Sequence, residues 1–161
     1  MSDAPALLDD LLEAWRTSHR ITLFLLDHVS DAGLRCTLSK RGGRDVARQL
    51  AHLHNVRVEH LRNRAKDLAE DLVSFETRDS PGRERLREAL AASGERMERY
   101  FAELLAGAPK RKGLKKGVIS TLSYYVAHEA HHRGSILLTL KECGHPVEQA
   151  ARYAIWDWDR M

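Results

Sequence analysis

Residues 115–142 read KKGVISTLSYYVAHEAHHRGSILLTLKE, and the placement of the apolar side chains in this stretch decides the architecture. At about 100° per residue, Val118, Leu122, Tyr125, Val126, Ile136 and Leu140 fall on one stripe of a helix. Gly144 and Pro146 beyond it form a stop signal. The same spacing of three and four recurs upstream. Leu8, Leu11, Leu12, Trp15, Thr22, Leu25, Leu26 and Val29 predict a helix from Leu7 to about Ser30. Val46, Leu50, Leu53, Leu61 and Leu68 predict a second from about Arg44 to Leu72. Leu86, Leu90, Met97, Phe101, Leu104 and Leu105 predict a third, with Ser80 as its N-cap, Pro81 as its first residue, and Gly107 and Pro109 ending it. Gly33, Gly42 and Gly43 break helical order between the first two. No segment alternates with period two, so a sheet has nothing to be built from. Four amphipathic segments of roughly 25 residues, each close to 40 Å long, bury their stripes most economically as an all-α four-helix bundle. Tyr153, Trp156 and Trp158 form a short C-terminal tail expected to pack on its side or end.

The 161 residues suit one domain, residues 1–161, with a single core. A composition of 43% hydrophobic and 30% charged residues excludes a disordered chain and a fibre. The longest uncharged apolar run, Ile21 to Leu26, falls far short of a bilayer span, and the acidic start lacks the basic region of a secretory signal. Cys36 and Cys143 are too few for a disulfide framework and match no zinc spacing. A cytoplasmic protein without membrane association is the expectation. The net charge of +3 comes from 26 basic and 23 acidic side chains interspersed as a solvated helical surface. The basic patch Lys110, Arg111, Lys112, Lys115 and Lys116 has no interleaved aromatics to stack on bases, so it reads as a solubilising loop and no nucleic-acid partner is expected.

Nine histidines are the chemically unusual feature. His128, Glu129 and His132 spell H-E-x-x-H, in which two histidines one turn apart bind zinc and the glutamate activates water in metalloproteases. Those enzymes set this helix beside a sheet, which nothing here predicts. His128 could also pair with His131, three residues on. Helical phase favours His132, which lies on the shoulder of the apolar stripe, while His131 points nearly opposite. Glu129 and Arg133 face toward the stripe and should line a cavity or pair with polar groups of other helices. A third ligand from the second helix would be His52, near the edge of its stripe, or His60, nearer the centre. Periodicity leaves that choice open.

Two segments, Val46-Ala47-Arg48-Gln49-Leu50-Ala51-His52 and His128-Glu129-Ala130-His131-His132-Arg133-Gly134, resemble those of the DinB/YfiT-like superfamily of bacterial metal-binding four-helix bundles. The resemblance extends in order and spacing over nearly the whole chain. It implies that His52, His128 and His132 hold a divalent metal, nickel or zinc, with coordination positions open to water. His54, His60 and His131 then fall to supporting or surface roles.

Three neutral nitrogens leave a bound ion its full charge, which suits Lewis-acid chemistry. Similar family members include transferases and isomerases that use low-molecular-weight thiols. The leading expectation is therefore a metal-dependent enzyme, a thiol-dependent transferase or isomerase or a hydrolase, acting on a small-molecule substrate. Glu129 is then a possible proton acceptor, or the partner of an arginine. The alternative is a non-catalytic metal-binding stress-response protein. In either case a leftover apolar face on long helices predicts a homodimer.

Overall fold

The structure, a computed structural model, describes residues 4–161. Its order is α1 (Ala4–His28), α2 (Asp31–Leu34), α3 (Val46–Arg64), a 3₁₀ turn (Lys66–Leu68), α4 (Arg83–Leu105), α5 (Val118–Glu142) and α6 (Gln149–Ala154), with no strand among the described residues. Four long helices thus form the bundle, as their periodicity predicts.

The core has three layers. One apolar cluster joins Leu25, Leu26 and Val29 of α1, Leu50 and Leu53 of α3, Leu86 and Leu90 of α4, and Ile136 and Leu140 of α5. A second joins Leu12 and Trp15, Val58 and Leu61, Met97 and Phe101, and Leu122 and Tyr125 from the same four helices. Between them every long helix contributes buried polar side chains: Ser18 and Thr22, Arg57, Ser93, and Glu129 with Arg133. The order in which each helix meets the clusters gives its direction. Helices α1 and α5 run one way, α3 and α4 the other. Both α1 and α3 pack on α4 and on α5, which leaves α1 diagonal to α3 and α4 diagonal to α5.

Because α3 and α4 are parallel, residues 65–82 must carry the chain back along the full length of α3. That helix has 19 residues and is about 28 Å long. The crossover is fastened to the outer face of α3. Asn55 Nδ2 donates to Phe75 O at 2.9 Å, and Asn55 Oδ1 accepts from Phe75 N at 2.9 Å. Arg62 Nη2 donates to Leu72 O at 3.0 Å, and Arg48 Nη2 donates to Thr77 O at 2.9 Å.

Several predicted boundaries move, each for a local reason. Helix α3 ends at Arg64 rather than Leu72 because Ala65 leaves helical geometry, with φ −153° and ψ 58°. Leu68 and Leu72 remain buried beyond it, which is why the apolar period reads as more helix. The start of α3 is capped by Asp45, whose carboxylate accepts from Arg48 N at 2.7 Å. Ser80 does not cap α4; its hydroxyl donates to Asp45 Oδ2 at 2.7 Å and accepts from Arg35, and Gly82 is the cap residue. Helix α5 starts at Val118 rather than Lys115 because Gly117, at φ 101°, turns the chain through a region that favours glycine. Ser30 does not close α1 but caps α2, accepting from Gly33 N at 3.0 Å.

Two close approaches tighten the assembly. On α4 a Cβ at Gly94 would lie 2.1 Å from the His19 ring, so the bare glycine lets α1 and α4 meet. The tail packs through Val147 and Ala151 onto the first cluster. Beyond it Ile155, Trp156 and Trp158 border a cavity of about 190 Å³ against α1 and α5.

The basic patch is not uniformly a solvated surface. Arg111 is buried, and its guanidinium donates to both oxygens of Asp67, at 2.6 and 2.7 Å, and to Glu103 at 2.6 Å. Hydrogen bonding to Arg111 holds the Asp67 carboxyl well below the usual carboxylate range. This fork ties the crossover to the end of α4. We expect Arg111→Ala to lower the melting temperature by about 3–8 °C, whereas Lys112→Ala shifts it by no more than about 1 °C, as read by circular dichroism.

Candidate metal centre

Helices α3 and α5 are antiparallel neighbours, and their facing edges bring three histidines together. One nitrogen from each of His52, His128 and His132 lies within 4.8 Å of the others. Donors about 2.0–2.1 Å from one tetrahedral ion stand about 3.4 Å apart, so the three rings would draw in slightly to share one. Ring centroids are 4.9 Å apart for His52 and His132, 4.7 Å for His128 and His132, and 5.6 Å for His52 and His128. All three are half-buried, at the rim of the core rather than inside it. The resemblance-implied residue from α3, His52, is therefore the one that meets the pair.

The site keeps its imidazoles neutral. Burial is the largest cause and the positive charge of Arg44 the next for His52, pushed down to about 4. His132 is pushed down to about 4 by burial and then by His128, His52, His131 and Arg44. Burial lowers His128 as well, against the attraction of Glu129. Three unprotonated nitrogens without a carboxylate or thiolate among them are a donor set that fits a divalent ion of borderline character, such as zinc or nickel.

The remaining histidines of these helices lie elsewhere. His131 is exposed, its ring 5.3 Å from that of His132. His54 has no surface or ligand-supporting role. It is buried with Nδ1 2.8 Å from Ala89 O and Nε2 3.0 Å from Val73 O, pinning the crossover to α4. His60 is buried between the rings of Tyr100 and Tyr125, at centroid distances of 4.8 and 4.7 Å.

Glu129, the acid of H-E-x-x-H, is not in the cleft. About 100° round the helix from His128, it is 1% exposed and ion-paired to Arg57, with Nη2 to Oε1 at 2.6 Å. Thr22 donates to its other oxygen at 2.9 Å, and Arg133 stands 3.7 Å from that oxygen. Both oxygens are thus spent on the bundle, and Glu129 does not face the cleft as a proton acceptor. The predicted inward facing is met by pairing at Glu129, while Arg133 both pairs and lines the cavity beside Trp156 and Trp158.

Arg57 was not apparent as a functional residue from sequence. It donates to Leu90 O at 2.9 Å and sits 5.2 Å from the Trp15 ring centroid. Its signal was a charged residue seven positions after Leu50, on the buried face of α3. Arg133 in turn donates to Ser18 O and Ser18 Oγ, both at 3.1 Å, and to Thr22 Oγ1 at 2.9 Å.

One turn beyond His52, Val56 begins a groove of about 740 Å³ between α3 and α5 that continues past Glu59 and Asn63. Tyr125 borders it from α5, and Arg64, Lys110 and Lys112 close its far end with positive charge.

The family model of the DinB family matches residues 1–159. The chain belongs to the DinB family. No curated protein and no solved structure matches it significantly. Within this DinB chain the histidine cluster and the buried Glu129 network occupy different faces of the same turns of one helix, with different tasks.

Two outcomes follow from that division. Glu129→Gln should cost about 3–5 kcal/mol, because it leaves Arg57 buried without its counter-charge, while the His52, His128 and His132 cluster keeps its donors; urea unfolding and metal titration read the two effects separately. Burial, followed by the charge of Arg57, pushes His19 down to about 3, and burial pushes His60 down to about 4. An unfolded chain takes up these protons first, near pH 6.5, so stability should be full above that pH. It should fall as pH drops toward 4 and go on falling below about 3, where protonation of Asp67 adds to the loss, as followed by urea midpoints of metal-free protein.

Proposed function

We propose that this DinB-family chain is a metal-dependent enzyme in which His52, His128 and His132 hold one nickel or zinc ion. The observation that carries the reading is the chemistry of the donor set: three neutral imidazoles, half-buried, brought together at the facing edges of α3 and α5. When bound, the ion supplies Lewis-acid character and lowers the pKa of a water or thiol attached to it. The chain's own residues supply the rest. The groove offers a small molecule apolar contact at Val56 and Tyr125, and hydrogen bonds at Glu59 and Asn63. Arg44, whose field reaches His52 and His132, favours an anion at the mouth. A thiol-dependent transferase or isomerase, or a hydrolase, acting on a small electrophile is the reaction class that this combination supports, with a low-molecular-weight thiol as co-substrate.

One observation favours the non-catalytic reading, in which the protein binds metal as part of a stress response. Glu129 is engaged in the core, so the cleft has no buried carboxylate of its own to take a proton. Consumption of an electrophile by a panel of small thiols, with and without metal, separates the two. Metal-dependent turnover supports the enzyme, and inactivity across the panel supports binding alone. We also propose a homodimer, formed over the exposed side chains Leu138, Tyr153 and Trp156. Light scattering should then give twice the chain mass of 18.3 kDa.

The ligand set has a direct test in tag-free protein by elemental analysis and calorimetric titration. Replacing His52, His128 or His132 by alanine should weaken metal binding at least about 100-fold and leave helicity intact, because the apolar layers carry the folding energy. His60→Ala and His131→Ala should retain one ion per chain. Because His52 and His132 protonate only near pH 4, affinity should hold from pH 7 to about 5 and fall steeply around and below pH 4. Retention of metal well below pH 4 would point to carboxylate ligands instead.

A further inference from the structure

Far apart in the chain, the two cysteines meet at one end of the bundle. Cys36 follows α2 and is buried in the first apolar cluster; Cys143 is the cap residue at the end of α5 and packs, half-buried, against the same cluster. Cys143 Sγ lies 3.8 Å from the carbonyl oxygen of Thr37, the residue after Cys36, and Cys36 Sγ lies 3.6 Å from Ala32 O. Both backbones are held in place. Cys36 N donates to Gly33 O at 3.0 Å, Cys36 O accepts from Val46 N at 3.0 Å, and Cys143 N donates to Thr139 O at 3.0 Å. Burial first, and the neighbouring Cys143 thiol second, push the Cys36 thiol up, so it rests protonated beside its neighbour. Neither sulfur belongs to the histidine cluster or to the Glu129 network.

We propose that Cys36 and Cys143 are a peroxide-responsive dithiol that closes reversibly to an intramolecular disulfide. Cys143 is the more accessible sulfur and reacts first. Its thiolate attacks one oxygen of hydrogen peroxide; an S–O bond forms, the O–O bond breaks, and the departing hydroxide takes up the thiol proton as water. The Cys36 thiolate then attacks the sulfur of the Cys143 sulfenic acid. An S–S bond forms, the S–O bond breaks, and hydroxide leaves as water with the proton from Cys36. Two thiols lose two electrons in total, and one peroxide is reduced to two waters.

The bond has a mechanical meaning in this fold. Through its carbonyl, Cys36 holds the first residue of α3, and Cys143 ends α5. A disulfide there would clamp the ends of the two helices that carry His52, His128 and His132. The thiol chemistry itself does not depend on the metal reading.

The test treats tag-free protein with hydrogen peroxide and follows intact mass, thiol titration, non-reducing electrophoresis and thermal unfolding. The expected result is a monomer lighter by about 2 Da, with both thiols lost from titration, a peptide joining residues 36 and 143, and full reversal by dithiothreitol. The melting temperature should rise by about 5–10 °C, because the bond closes a long loop. Cys36→Ser should instead leave Cys143 to gain oxygen atoms, with no rise in melting temperature. Interchain dimers, or oxygen added at Cys143 of the unaltered chain while Cys36 still titrates, would overturn the proposal. So would a crosslink that leaves the melting temperature where it was.

Discussion

A single buried carboxylate, Glu129, holds the middle of this bundle together. It accepts from Arg57 on α3 and Thr22 on α1, and stands beside Arg133 on its own helix. Arg57 and Arg133 extend the contacts to α4 and to Ser18. Ion pairs away from water repay their desolvation only when the geometry is good and the remaining hydrogen-bonding capacity is used. Here hydroxyls and main-chain carbonyls from neighbouring helices engage Arg57 Nη1, Arg133 Nη1 and the second Glu129 oxygen. Apolar side chains above and below slide past one another at little cost. A polar layer with directional partners on all four helices does not, and so it sets their relative height. That register is what brings the edge of α3 carrying His52 level with the edge of α5 carrying His128 and His132.

Much of this was legible in the sequence, and what was missed has physical causes. The four apolar stripes predict four long helices because burial selects a period of 3.6 irrespective of partners. Helical phase also separated His132 from His131 and turned Glu129 inward. Choosing His52 over His60 was beyond periodicity, since both lie on the buried side of α3; it took the resemblance to suggest the choice and the packing of α3 on α5 to bring His52 to the pair. The partner of Glu129 stayed hidden because Arg57 and Glu129 are joined only in the assembled bundle. Arg111 was misread for a related reason. A basic run looks solvated until Asp67 and Glu103 are seen around one of its members. The overlong second helix reflects Leu68 and Leu72, whose burial continues the apolar rhythm after the backbone has left helical geometry.

The H-E-x-x-H pattern shows how little a short motif says without its surroundings. Its histidines and its glutamate project from adjacent residues into different media, the former to a wet edge and the latter to a dry layer. In a metalloprotease the same spelling serves one reaction. Here it divides between a metal-type cluster and the cohesion of the bundle.

The diagonal placement of α1 and α3, and of α4 and α5, has a consequence for how the molecule assembles. In an up-down-up-down bundle each consecutive pair forms a hairpin that can gain contacts early, from short loop closures. This chain has no such pair among its long helices. The only consecutive neighbours are α3 and α4, which are parallel and meet only after the whole crossover has been drawn back. Every major interface therefore waits on a long closure, the entropy of which is spent before any contact repays it. Folding of such a topology is a late, collective event, slower than helix content alone suggests, with few stable halfway states for a partly built histidine cluster to occupy.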